Sequence, residues 1–132
     1  MNIDIQYLWE GFALLAAAIH VYIFFMESLW FMNPKIYRKF GASSEKEAEH
    51  KRLFAFNQGF YNLFLAIGVF LGIGLIHFGS NICISTTLVL FSCAMMLAAA
   101  IILYVSAGAK MFKPALIQGV FPLFAWMSWL WL

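Results

Sequence analysis

Four apolar runs dominate the chain: Leu8–Met32, Leu53–Phe78, Ile84–Ser106 and Ala115–Leu132. About 20 consecutive apolar residues in a helix match the roughly 30 Å hydrocarbon core of a bilayer. A water-soluble domain carries about a quarter charged residues. Here only 11% of 132 residues are charged and 64% are hydrophobic. The chain is therefore read as an integral membrane protein. Its predicted fold is all-α, a single domain over 1–132 forming a four-transmembrane-helix bundle. The spans are placed at about 8–32, 53–78, 84–106 and 115–132. The first run is too long for a signal-peptide core and has no basic residue before it, so it is expected to be retained.

Charge sets the orientation. All eight Lys and Arg fall in two places. Lys35, Arg38, Lys39, Lys46, Lys51 and Arg52 lie between spans one and two, and Lys110 and Lys113 between spans three and four. The positive-inside rule then puts both basic loops in the cytoplasm and both termini outside. Tyr7, Trp9, Trp126, Trp129 and Trp131 fit the aromatic belts at the outer edge. The net charge of +2 is this topological signal and calls for no nucleic-acid partner. Cys83 and Cys93, ten positions apart on one helix, would be about 15 Å apart, beyond disulfide reach. No Cys/His spacing suggests a metal site.

Pro34 closes the first span, and "NPKIYRKFGA" reads as a short basic surface segment. Ser44 and Glu47 form a capping box. Glu45, Glu47 and Glu49 suit the positive end of a helix dipole. Residues 33–52 are thus a cytoplasmic loop with a helical extension that runs unbroken into span two, its charges a solvated face. Gly68 and Gly72 form a GxxxG pattern, with Gly74 nearby, that lets another helix approach closely. That face also offers a surface for a homodimer. Ala94 and Ala98 make a similar small face in span three.

Against this background "FNQGFYN" stands out, with Asn57, Gln58, Tyr61 and Asn62 inside an apolar run. His20 and Glu27 interrupt span one, Tyr104 lies near the end of span three, and Gln118 near the start of span four. A carboxylate in hydrocarbon costs on the order of 2.5–3.5 kcal/mol on insertion scales. His20 and Glu27 are seven apart, on nearly one helix face and about 10.5 Å apart along the axis. Asn57 with Tyr61, and Gln58 with Asn62, are i, i+4 neighbours. Counted from the cytoplasmic ends of antiparallel helices, Glu27 comes level with Asn57 and Gln58. His20 comes level with Tyr61 and Asn62. Tyr104 and Gln118 fall in the same half. Isolated Asn, Gln or His residues act as interhelical glue worth about 0.6 kcal/mol per bond. Several at matched depth, with a carboxylate and an imidazole among them, point to a polar intramembrane pocket. Glu10 and His77 read as hydrated interfacial residues, and His50 as one of the cytoplasmic charges.

The segments "HVYIFFMESLWF", "FNQGFYNLFLAIG" and "IQGVFP" resemble a family of small bacterial four-helix membrane proteins catalogued as a domain of unknown function. The resemblance rests on His20 and Glu27; on Asn57, Gln58, Gly59, Tyr61 and Asn62; and on Gln118, Gly119 and Pro122. It implies four spans in the bacterial cytoplasmic (inner) membrane and residues that act as a set. It supplies no activity.

Three roles are open at this point. In the first, a pocket binds or transports a small molecule or proton. His20 and Glu27 exchange protons, and Asn57, Gln58, Tyr61, Asn62 and Gln118 orient the ligand. In the second, an intramembrane enzyme acts on a lipid-soluble substrate with His20 or Glu27 as general acid or base. In the third, the chain is a structural or accessory subunit. The first is preferred. No Ser-His-Asp set, phosphate loop or DxxD-like motif is present, and the sequence names no cofactor. The partners expected are the lipid bilayer, a small-molecule or lipid ligand, and a second copy of the chain.

Overall fold

The computed structural model describes the backbone of residues 3–79 and 81–132, and the side chains from Tyr7 onward within that range. Met1, Asn2 and Ser80, which belong to the expected outer N-terminus and second loop, lie outside the described residues. The described chain is helical without a strand: α1 (Ile3–Phe24), α2 (Pro34–Tyr37), α3 (Glu45–Phe78), α4 (Ile82–Ala107) and α5 (Phe112–Leu130). A π turn, Phe25–Leu29, continues α1, and a 3-10 turn, Gly108–Met111, separates α4 from α5. Three stretches are long and apolar enough to cross a membrane: Tyr7–Leu29, Glu45–Phe78 and Ile82–Leu130. The chain packs as two units, residues 1–19 with 65–132, and residues 20–64.

The first unit is built on small side chains. Ala13, Ala16, Ala17, Ala66, Val89, Cys93 and Ala125 are fully buried, while Leu71, Ile101, Ile102, Leu116 and Ile117 face outward. In lipid there is no hydrophobic drive between helices, so small residues that let backbones close and gain dispersion contacts are what hold them. Gly68 and Gly72 do this against α4. A Cβ at Gly68 would collide with the Ser92 hydroxyl. One at Gly72 would collide with Val89 and lie 3.0 Å from the Ser85 carbonyl oxygen. The GxxxG face predicted from sequence thus lies against α4 of the same chain. Cys83 is exposed and Cys93 buried, and both are free thiols.

Between α4 and α5, Trp126 Nε1 donates to the Leu90 carbonyl at 3.0 Å, Gly119 sits under Ala100, and Tyr104 packs edge-on against Phe112. As the residue number falls along α4 it rises along α5, so the two helices are antiparallel. Gly108 makes the reversal possible: its φ of 69° is a left-handed conformation that glycine adopts without steric cost.

The second unit has its own core of Phe31, Tyr37, Ala42 and Ala48, with Met32, Phe40 and Ala55 against it. "NPKIYRKFGA" is therefore only partly a surface segment. Asn33 caps α2 by accepting from the Lys35 N–H at 2.9 Å, with Pro34 at the first helical position, where its missing N–H costs nothing. Gly41, at φ 77°, closes the turn. The Ala42 N–H bonds Tyr37 O and the Gly41 N–H bonds Arg38 O, each at 3.1 Å, the paired bonds of a Schellman motif. This folds Tyr37 and Ala42 inward. The start of α3 follows the capping pattern with one change. Ser44 Oγ accepts from the Glu47 N–H at 3.2 Å. The Glu47 carboxylate reaches back to the N–H and hydroxyl of Ser43, at 2.8 and 2.7 Å, rather than to Ser44.

Candidate functional site

The site is built in the second unit where α1 loosens. Trp30 N–H bonds Phe25 O at 2.8 Å, an i to i+5 step that widens the helix by one residue. Such π turns recur at functional positions. Glu27 and Ser28 lie on this turn, and both engage α3. Ser28 Oγ donates to the Phe56 carbonyl at 2.8 Å, and Asn62 Nδ2 donates to Glu27 Oε2 at 2.9 Å. Gly59 permits the approach. A Cβ there would collide with the Ser28 hydroxyl and stand 3.0 Å from the Ser28 nitrogen and 3.1 Å from Glu27 Cβ.

The predicted register put Glu27 level with Asn57 and Gln58. The backbones follow it, since Gly59 faces Glu27 and Ser28, but the carboxylate bonds one turn further along α3. Side chains tilt toward the N-terminus of their own helix. On antiparallel helices, Glu27 and Asn62 therefore lean toward each other and close that offset. The second Nδ2 proton of Asn62 goes to the Gln58 carbonyl at 3.1 Å. With both amide protons used, Asn62 can only present N–H to the carboxylate.

The other predicted residues divide by burial. His20 is fully buried, Glu27 is 8% exposed and Asn62 5%. Asn57 and Gln58 are exposed. Asn57 Nδ2 folds back onto the Leu53 carbonyl at 3.1 Å, and Tyr61 is 62% exposed. Gln58 borders an open cleft of about 260 Å³ lined also by Glu27, Phe31, Phe40, Lys51, Phe54 and Ala55. In the first unit Gln118 is buried and Tyr104 exposed. Pro122, inside α5, has no N–H to give the Gln118 carbonyl one turn earlier. Among the described residues no group of three His, Cys, Asp or Glu side chains could hold a metal ion.

Sequence reasoning passes over two side chains beside Glu27 and, in the first unit, over the pairing of Glu10. Ser28 was signalled only by its place beside Glu27. Lys51 was read as a solvated charge, yet it borders the cleft. Its Nζ is held 2.7 Å from Glu47 Oε1 and donates to the Gly41 carbonyl at 3.2 Å. Glu10, expected to be hydrated, is buried in the first unit, with Oε2 2.7 Å from His77 Nε2.

Residues 14–130 match the family model described as "Protein of unknown function (DUF1304)". The chain belongs to the DUF1304 family. The match takes in His20, the π turn with Glu27, the whole of "FNQGFYN" and Gln118, whereas Glu10 precedes it. Membership agrees with the resemblance carried by these segments and with apolar helices long enough to cross a membrane. No curated protein and no solved structure matches the chain.

Proposed function

We propose that this DUF1304 protein crosses the cytoplasmic membrane four times, with both basic loops in the cytoplasm, and binds or transports a small molecule or proton through Glu27. The third apolar stretch doubles back at Gly108–Met111 into two antiparallel helices, which supports two crossings there. The observation that carries the functional reading is the setting of Glu27. It is a carboxylate on a π turn, bonded to a neutral amide and bordering a cleft. An ionisable group at such depth is expensive unless it is used. His20, buried in the same unit, is the second proton-exchanging group in this reading. Asn62 and Gln58 orient the ligand, Asn57 and Tyr61 belong to the wider polar set of that unit, and Gln118 is a buried polar residue of the first unit.

Native mass spectrometry of gently purified protein tests this. The expected result is a stoichiometric small molecule or lipid on the wild type that is absent from folded Glu27→Gln. Wild-type and variant proteins both folded and both free of ligand would overturn the binding role and leave a structural subunit.

A further inference from the structure

The chemistry of the Glu27 cleft narrows what it can hold. Phe31, Phe40 and Phe54 supply aromatic walls, and Glu27 and Gln58 the polar groups. The Phe31 and Phe40 ring centroids are 5.9 Å apart at an interplanar angle of 51°, so two rings border the same space at an angle. Charge decides the ligand's sign. Among the described residues the cation bordering the cleft is Lys51, which is committed to the Glu47 carboxylate and the Gly41 carbonyl. Glu27 is bonded by Asn62, which carries no charge. With the Glu27 carboxyl ionised, the charge left over is negative.

Aromatic faces around a carboxylate attract organic cations, because the ring quadrupole presents negative potential to an ammonium group. An anionic ligand meets Glu27 with like charge. A purely apolar one strips water from Glu27 and Gln58 without replacing its hydrogen bonds. The volume of about 260 Å³ admits a methylated ammonium group or a short amine. We infer that the Glu27 cleft binds a small organic ammonium compound, its cation against the carboxylate and its alkyl groups against the phenylalanine rings. This rests on the reading of Glu27 as a ligand-handling residue and adds the ligand's class.

The test is calorimetric titration of the full chain in phosphatidylglycerol nanodiscs with tetramethylammonium, acetate and acetamide as separate probes. Saturable binding is expected for tetramethylammonium alone. Its Kd should rise about tenfold in Phe40→Leu and about thirtyfold or more in Glu27→Gln, and fall in Lys51→Met. Circular dichroism identifies any variant that fails to fold, and Phe40→Leu then carries the test. Adding phosphatidylethanolamine separates two sources of the same chemistry. Competition with the probe would assign the site to a lipid headgroup, and undiminished binding to a free amine. Glu27-dependent binding of acetate or acetamide in place of the ammonium would overturn the ligand class and leave the function of Glu27 standing. Absence of binding by every probe, together with ligand-free native spectra, would overturn both.

Discussion

Glu10 lies in α1 and Glu27 on the π turn that continues it, and the chain treats the two carboxylates differently. Each is buried, and each is met by a side chain of α3. Glu10, in a regular stretch of helix, faces His77 at 2.7 Å, a partner that can carry the opposite charge. Glu27, on a widened turn, faces the neutral amide of Asn62 at 2.9 Å. Glu10's unit buries mainly small side chains, with Trp9 and Met96 among them, and its clefts are walled mainly by apolar side chains and, among the described residues, include no carboxylate. Around Glu27 the packing opens into a cleft. A carboxylate met by an imidazole can close a structure, whereas one met only by a neutral amide retains capacity for a further cation or proton. On the proposed reading, the same residue type serves packing in one unit and ligand handling in the other.

If stability resides in the first unit, the largest effect should come from forcing its helices apart. Gly72→Leu places a side chain against Val89 and the Ser85 carbonyl, one of them backbone that cannot swing away. The expected loss is about 3 kcal/mol, at the upper end for overpacking, read as a lowered unfolding midpoint in detergent. Gly59→Ala in the second unit should cost less, about 1–2 kcal/mol, because it adds one methyl rather than a leucyl side chain, although the Ser28 nitrogen and Glu27 Cβ at 3.0 and 3.1 Å must give. A reversed order would place the mechanical weakness at the π turn.

The next test exchanges the two carboxylates' roles. Glu10→Gln should lower stability by about 1–2 kcal/mol by uncharging its contact with His77, and leave ammonium binding unchanged. Glu27→Gln should change stability by less than about 1 kcal/mol, because glutamine still offers Asn62 a carbonyl acceptor, and abolish binding. Asn62→Leu separates geometry from charge. It strips the carboxylate of its donor and should cost about 1–3 kcal/mol. Equal stability losses at Glu10 and Glu27, with binding intact in both variants, would erase the distinction.

How much of this was legible in the sequence depends on the range of the interaction. The helices, the cap at Ser44 and the close approach at Gly68 and Gly72 follow from local pattern, because each answers a requirement set within a few residues. The antiparallel register of α1 against α3 was also within reach, since counting from the loop fixes depth. The sequence could not give the π turn, which arises where Ser28 and Glu27 both find partners on α3 and no glycine or proline announces it. Nor could it give the pairing of Glu10 with His77, 67 residues apart. Lys51 was read as a solvated charge because i, i+4 pairing with Glu47 is ordinary on helix surfaces. Its place beside the cleft depends on the Schellman turn at Gly41, which brings a carbonyl to its ammonium group.

That lysine gives the smallest and most discriminating prediction. The Glu47 carboxyl is held from its ordinary 4.5 down to about 2, first by the hydrogen bond from Lys51 and then by those from Ser43. A lowered pKa means the folded state favours the ionised form. This contribution is complete above pH 4.5 and is lost as the pH falls through about 2. Glu47 is exposed to solvent there, so the effect is confined to the first turn of α3. Amide exchange, corrected for intrinsic rates, should show protection at Ser43 and Glu47 declining between pH 4.5 and 2 in the wild type and flat in Glu47→Gln. Parallel profiles in the two proteins would remove Glu47 from the cap. The same variant bears on Glu27. Without Glu47, the Lys51 ammonium loses the anion that holds it and becomes available to the cleft. Tetramethylammonium should then bind about threefold more weakly, the scale of an exposed charge interaction. Unchanged binding would mean that Lys51 is kept from Glu27 by the Gly41 carbonyl alone, so that the fold of the loop rather than its charge pairing preserves the unmatched carboxylate.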